Sequence, residues 1–201
     1  MKAAERRQNL KQALILAAEH AIAREGLAGL RARALADEVG CAVGAIYNVV
    51  ADLDELILLA NLRTLAALER ALTPPKIAAL AGPDQAIASL VRLAIVYTDF
   101  AAENNRRWRA LFEHRLPPGY ALPDWYLQEQ MRMFSYVEGP LRALQPQAPA
   151  ERVALLARSL FSAVHGIVAL GMEEKLYTLP LTDLREQVTV MVSAIGRGLA
   201  A

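Results

Sequence analysis

Cysteine is nearly absent from this chain of 201 residues. Cys41 stands alone, which excludes an intramolecular disulfide and any cysteine-based zinc site. Histidine occurs three times, and Glu113-His114 has no partner at a spacing such as H-E-x-x-H, so neither metal nor cofactor is assigned. Aromatic residues make up 6% of the chain, and the formal net charge is only +1. Global charge therefore announces no polyanionic partner. The longest apolar run, Ser159–Met172, is 14 residues and contains His165. That is short of the roughly 20 residues a membrane-spanning helix needs. No signal peptide is apparent in the polar stretch Met1–Leu10, so a cytoplasmic protein with no membrane partner is expected. A G-x-S-x-G nucleophile turn, a phosphate loop and a nucleophile–base spacing are all missing, and the chain does not read as an enzyme.

What is abundant is apolar helix-forming sequence. Hydrophobic residues reach 55% and mean hydropathy is +0.22. Either the interior is large or a broad apolar surface meets a partner, and we read a partner. No strand alternation and no internal repeat are visible. The periodicity predicts an all-α chain of about nine helices.

The organising stretch is Leu30–Leu56, LRARALADEVGCAVGAIYNVVADLDEL. Leu30 and Ala34–Leu35 form an apolar face, and Gly40 can take the left-handed conformation that ends helices. A second helix is expected from Ala42 to Val50, with Ile46 and Val50 facing inward. Asp52 followed three residues later by Glu55 marks the next helix start. Two short helices around a glycine turn make the helix-turn-helix unit that enters the DNA major groove. In residues 1–50, seven Lys and Arg face five Asp and Glu, a slightly basic end with positives gathered in the first eleven residues.

The segment G-C-A-V-G-A-I-Y-N-V-V-A-D-L-D-E-L, residues 40–56, resembles the TetR-family signature G-x-x-x-G-x-[LI]-Y-x-x-[FV]. Gly40, Gly44, Ile46, Tyr47, Val50 and Leu56 fill its places, and R-A-L-A-x-E-V-G, Arg33–Gly40, is similar to the family's second helix. The resemblance implies a one-component transcriptional regulator, a repressor released from a pseudopalindromic operator by a small-molecule effector. It also implies that Tyr47 contacts a phosphate oxygen, the other role for such a residue being a rim tyrosine packed on the first helix. Asn48 can read adenine, Val43 and Ala45 can touch a thymine methyl, and Gly44 permits close approach. Arg31 and Arg33 are candidate backbone contacts, or simply solvated surface. The sequence departs from the family pattern here: Val43 and Leu53 stand where polar residues are common, Ala42 where Ser often sits, Arg31 where Ser or Thr often caps helix two, and no charge occurs from Cys41 to Ala51. A helical ligand-binding or adaptor dimer that has lost specific DNA binding is the alternative.

The remaining helices are expected at about Arg6–Arg24, Asp54–Leu72, Pro83–Asn104, Asn105–Arg115, Pro123–Leu144, Ala150–Lys175 and Thr182–Leu199. Residues 1–52 would form the DNA-binding domain, with the helix at about 54–72 as connector. The boundary falls at Thr73–Pro83, where Lys76–Leu80 could form a turn. Residues 73–201 would form a ligand-binding and dimerisation domain. The helix from Ala150, apolar on nearly every face, is expected to be buried all round. Together with the last helix it would make a twofold four-helix interface of a homodimer.

Trp108–Pro117 (W-R-A-L-F-E-H-R-L-P), Pro123-x-Trp125 and A-V-H-G-I-V-A-L at Ala163–Leu170 resemble the ligand domain of a TetR subgroup marked by a Trp and a His-Gly pair. Tyr97, Phe100, Trp108, Phe112, Tyr126, Met133, Phe134 and His165 are the candidate lining for an apolar or aromatic effector. Taken singly, each also fits ordinary core. His165 could donate to a ligand, a carbonyl or a twofold mate, or be a satisfied core histidine. Cys41 is a redox candidate or a small buried residue.

Overall fold

A computed structural model describes residues 2–73, 82–173 and 178–200. Among them are nine α-helices, one 3-10 turn and no strand. The expected boundary turn at Lys76–Leu80 and the expected end of the eighth helix at Lys175 lie outside the described residues. The chain divides into two compact units, Met1–Ala67 with Asn104–Leu127, and Leu68–Glu103 with Gln128–Ala201.

The first unit is built on α1 (Ala3–Glu25), which buries Leu14, Ile15, Ala18, Ala21 and Ile22 at spacings of three and four. Helix α2 (Ala32–Val39) buries Leu35 and Ala36, whereas Ala34 is exposed, one position off the expected face. Gly40 ends α2 in the left-handed region, φ 73° and ψ 41°. The Cys41 N–H then reaches back to the Ala36 carbonyl at 2.9 Å, closing a Schellman turn. Cys41 is half-buried against the core.

Helix α3 is shorter than the predicted Ala42–Val50. Its α-helical part is Val43–Ile46, and the chain continues as a tight turn in which Asn48 and Val49 donate to Ala45 and Ile46. Asn48, Val49 and Val50 are weak helix formers, and burial of both valines holds the turn without requiring the helical ladder. Helix α4 (Leu53–Leu72) follows. The first core collects Leu14, Ile22, Leu35, Ile46, Leu56 and Ala110, the last from α6 (Asn105–Glu113). The buried Asn61 amide donates to the Ala110 carbonyl at 3.1 Å, which fastens α6 to α4. Periodicity had no means of assigning α6 to this core.

The second unit packs α5 (Pro83–Glu103) along α9 (Leu181–Ala200), with α8 (Ala150–Gly171) against both. Gly196 permits the contact with α5, because a Cβ there would lie 2.8 Å from Ile87 Cγ1. Gly171 likewise gives room to Leu184. Helix α7 (Asp124–Leu144) supplies Arg132, which pairs with Glu69 of α4 and with Glu129 at 2.6 Å. Arg185 of α9 pairs with Asp99 of α5 at 2.6 Å.

Within a single chain, helix α8 is covered on one face, and burial on every side would need the expected twofold copy. It buries Val153, Ala157, Leu160, Val164 and Val168, but Leu155 and Leu170 are each 61% exposed. Only one face meets the rest of its unit, so the opposite apolar face is open in the single chain. By length and composition α5 and α8 are apolar enough to cross a membrane, with 44% and 28% of the respective spans buried.

Candidate nucleic-acid interface and aromatic cluster

The short α3 is oriented by its buried side. Ile46, Val49 and Val50 are 0%, 7% and 4% exposed, which turns Val43, Gly44, Tyr47 and Asn48 outward. Val43 and Tyr47, one turn apart, are 40% and 49% exposed. Ala45 is half-buried, and Arg31 and Arg33 are exposed beside and within the start of α2. All seven candidate DNA contacts thus lie in the first unit, six of them exposed.

The frame behind this surface is polar and specific. Lys11 Nζ holds Glu55 Oε1 at 3.0 Å, tying α1 to the start of α4. Burial disfavours the Glu55 carboxylate, but the Ala51 N–H and Lys11 outweigh it and lower its pKa. Glu19 of α1 receives Arg63 of α4 and Arg107 of α6, the latter at 2.9 Å. This three-helix charge cluster was not singled out from sequence, since its members are far apart in the chain. His114, at the end of α6, places Nε2 3.4 Å from Asp54 Oδ1. Burial lowers its pKa, against the opposing pull of Asp54 and Asp52.

The eight candidate ligand residues divide between the units. Trp108 and Tyr126 are each 2% exposed within the first, and Trp108 meets Phe112 edge-on at 5.6 Å. Tyr97, Phe100, Met133, Phe134 and His165 belong to the second. There the Tyr97 hydroxyl and His165 Nδ1 share a 2.8 Å hydrogen bond. Phe161 sits at the centre of the group: it stacks on His165 at 5.6 Å and meets Tyr97 and Phe134 edge-on at 5.6 and 5.5 Å. Phe161 was missed as a site residue, although its i, i+4 relation to His165 on α8 places the two on one face. Burial lowers the His165 pKa. Such a cluster offers flat apolar surface around one hydrogen-bonding pair.

Residues 90–195, more than half the chain, match the family described as tetracyclin repressor-like, C-terminal domain. Among solved structures, a protein of unknown function from Rhodococcus sp. RHA1 is 25% identical, with 96% of each chain covered and a TM-score of 0.69. A TetR-family transcriptional regulator from Streptomyces coelicolor is 20% identical over 100% of this chain and 84% of its own, also at 0.69. A second TetR from that organism is 18% identical over 94% and 96%, at 0.63. No curated protein matches significantly. The fold is that of an all-helical regulator with a helix-turn-helix head. The chain belongs to the TetR family of DNA-binding transcriptional regulators.

Proposed function

We propose that the protein is a cytoplasmic homodimeric repressor, not an enzyme, that leaves a pseudopalindromic operator when a small apolar or aromatic effector binds. The observation that carries this is the outward set Val43, Gly44, Tyr47 and Asn48 on a segment whose opposite side is buried. Arg31, Arg33 and Tyr47 contact backbone phosphates, while Val43, Ala45 and Asn48 face base edges. The dimer forms through α8 and α9, a reading supported by exposed Leu155, Leu170, Val190 and Ile195. The effector binds among Tyr97, Phe100, Met133, Phe134, Phe161 and His165. Trp108, Phe112 and Tyr126 take a packing role in the first unit. Residues 1–52 act as the reading head and α4 as the connector. Release requires the effector to bind more tightly to a head spacing that misfits the operator.

Selection from a random duplex pool at two salt concentrations tests this. Enrichment of an inverted repeat supports a dimeric regulator. The charge-free span Cys41–Ala51 favours one second reading, a ligand-binding or adaptor dimer. A folded dimer that enriches nothing at either salt establishes that reading instead.

A further inference from the structure

The exposed surface of α3 and the turn after it carries no charged side chain from Cys41 to Ala51. It offers an aliphatic side chain at Val43, bare backbone at Gly44, a phenol at Tyr47 and one carboxamide at Asn48. Guanine is read through O6 and N7 by Arg or Lys, and cytosine N4 is read by Asp or Glu. None of these four residue types occurs from Cys41 to Ala51. Adenine N6 and N7 suit the Asn carboxamide, and the thymine C5 methyl suits an aliphatic side chain. Val43, 40% exposed in the free chain, has its apolar surface open to such a methyl.

Resting on the DNA-binding reading above, we propose that the half-site bases beneath α3 are A·T pairs. Asn48 reads an adenine, Val43 reads one or two thymine methyls, and no guanine-specific contact exists in this segment. Affinity then depends on the methyl groups themselves. Replacing thymine by uracil removes only that methyl and leaves base pairing intact.

The test takes the full-length dimer and the half-site recovered by selection. Each thymine is replaced in turn by deoxyuridine, and binding is measured by fluorescence anisotropy. One or two positions should lose about fourfold in affinity, the scale of one buried methyl. In Val43→Ala that sensitivity should disappear while the thermal midpoint is retained. Asn48→Ala should relax an A·T preference by about 5- to 150-fold. An inverted repeat with G·C pairs under α3, or full indifference to uracil, overturns the inference and leaves the regulator intact. A G·C preference lost in Arg33→Ala overturns it too, by making Arg33 the base reader. Absence of any enriched repeat from a folded dimer instead defeats the underlying DNA-binding reading.

Discussion

The Asp52 carboxylate accepts the Glu55 N–H at 2.7 Å, and the Glu55 carboxylate reaches back past Asp52 to the Ala51 N–H at 2.6 Å. This is a capping box with its return bond displaced by one residue. It fixes where the turn after α3 stops and α4 begins. Lys11 joins it from α1. Asp52→Ala should cost about 1 kcal/mol of stability, the usual value of a lost helix cap. Glu55→Gln keeps an acceptor for Ala51 and loses only the half-exposed ion pair, so its cost should stay below about 1 kcal/mol. Urea denaturation of the two variants checks the order. A larger cost for Glu55→Gln than for Asp52→Ala would mean that the ion pair, more than the cap, holds the junction.

Two histidines give stability a pH dependence whose sign is fixed. Burial lowers the pKa of both His114 and His165 from the ordinary 6.5. The unfolded chain therefore binds protons that the folded chain resists. Their contribution is complete above 6.5 and is lost as pH falls through the folded values. Glu55, lowered from 4.5, acts in a separate and more acidic window. Denaturant midpoints should decline from pH 7.5 to pH 5.5, and the decline should be shallower in His114→Gln and His165→Gln. Unchanged steepness in the double variant would assign the effect to other groups.

Local signals made most helices legible. Apolar spacing, Gly40, the proline-bounded loops and Asp52 placed their ends near the observed ones. Relationships between distant segments were hidden. Nothing in the sequence pairs Asn61 with Ala110, or Tyr97 with His165 across 68 positions. Helical spacing over Ala42–Val50 predicts a longer α3 than the Val43–Ile46 that forms. Two buried valines and an asparagine satisfy that spacing in a turn as well. For α8, hydropathy counts apolar residues without saying whether the same chain or a second copy covers them. Of the candidate site, the outward position of Val43, Gly44, Tyr47 and Asn48 was legible because their inward-facing neighbours lie in the same short segment. The aromatic cluster was legible only in part, because its hub, Phe161, is known by its neighbours.

The open face of α8 leads to a prediction about assembly. Leu155, Ser159, Ser162, Gly166 and Leu170 follow at helical spacing, and an added Cβ at Gly166 meets nothing within 4 Å among the described residues. Gly166→Leu should therefore leave the monomer fold undisturbed and obstruct close approach of a second copy. Leu155→Glu should place a carboxylate in the same contact. Each should weaken dimerisation roughly thirtyfold or more, the scale of a lost interface anchor. Sedimentation equilibrium reads this, with circular dichroism as the folding control. Dimers of undiminished affinity in both variants would place the interface elsewhere.

Gly44 separates folding from DNA approach, because the two respond with opposite sign. An added Cβ meets nothing within 4 Å, and φ at this residue is not positive. Gly44→Ala should leave stability unchanged or raise it by up to about 1 kcal/mol, the difference in helix propensity. Operator affinity should fall about tenfold or more if the groove wall meets the backbone here, since a methyl would then occupy the place of the contact. A merely damaged fold would lower both quantities together. Thermal unfolding and operator titration on one preparation give the two readings. A variant that is more stable and binds as tightly as the parent would show that α3 rides higher in the groove, and that Val43 and Tyr47 reach the DNA without bringing the backbone close.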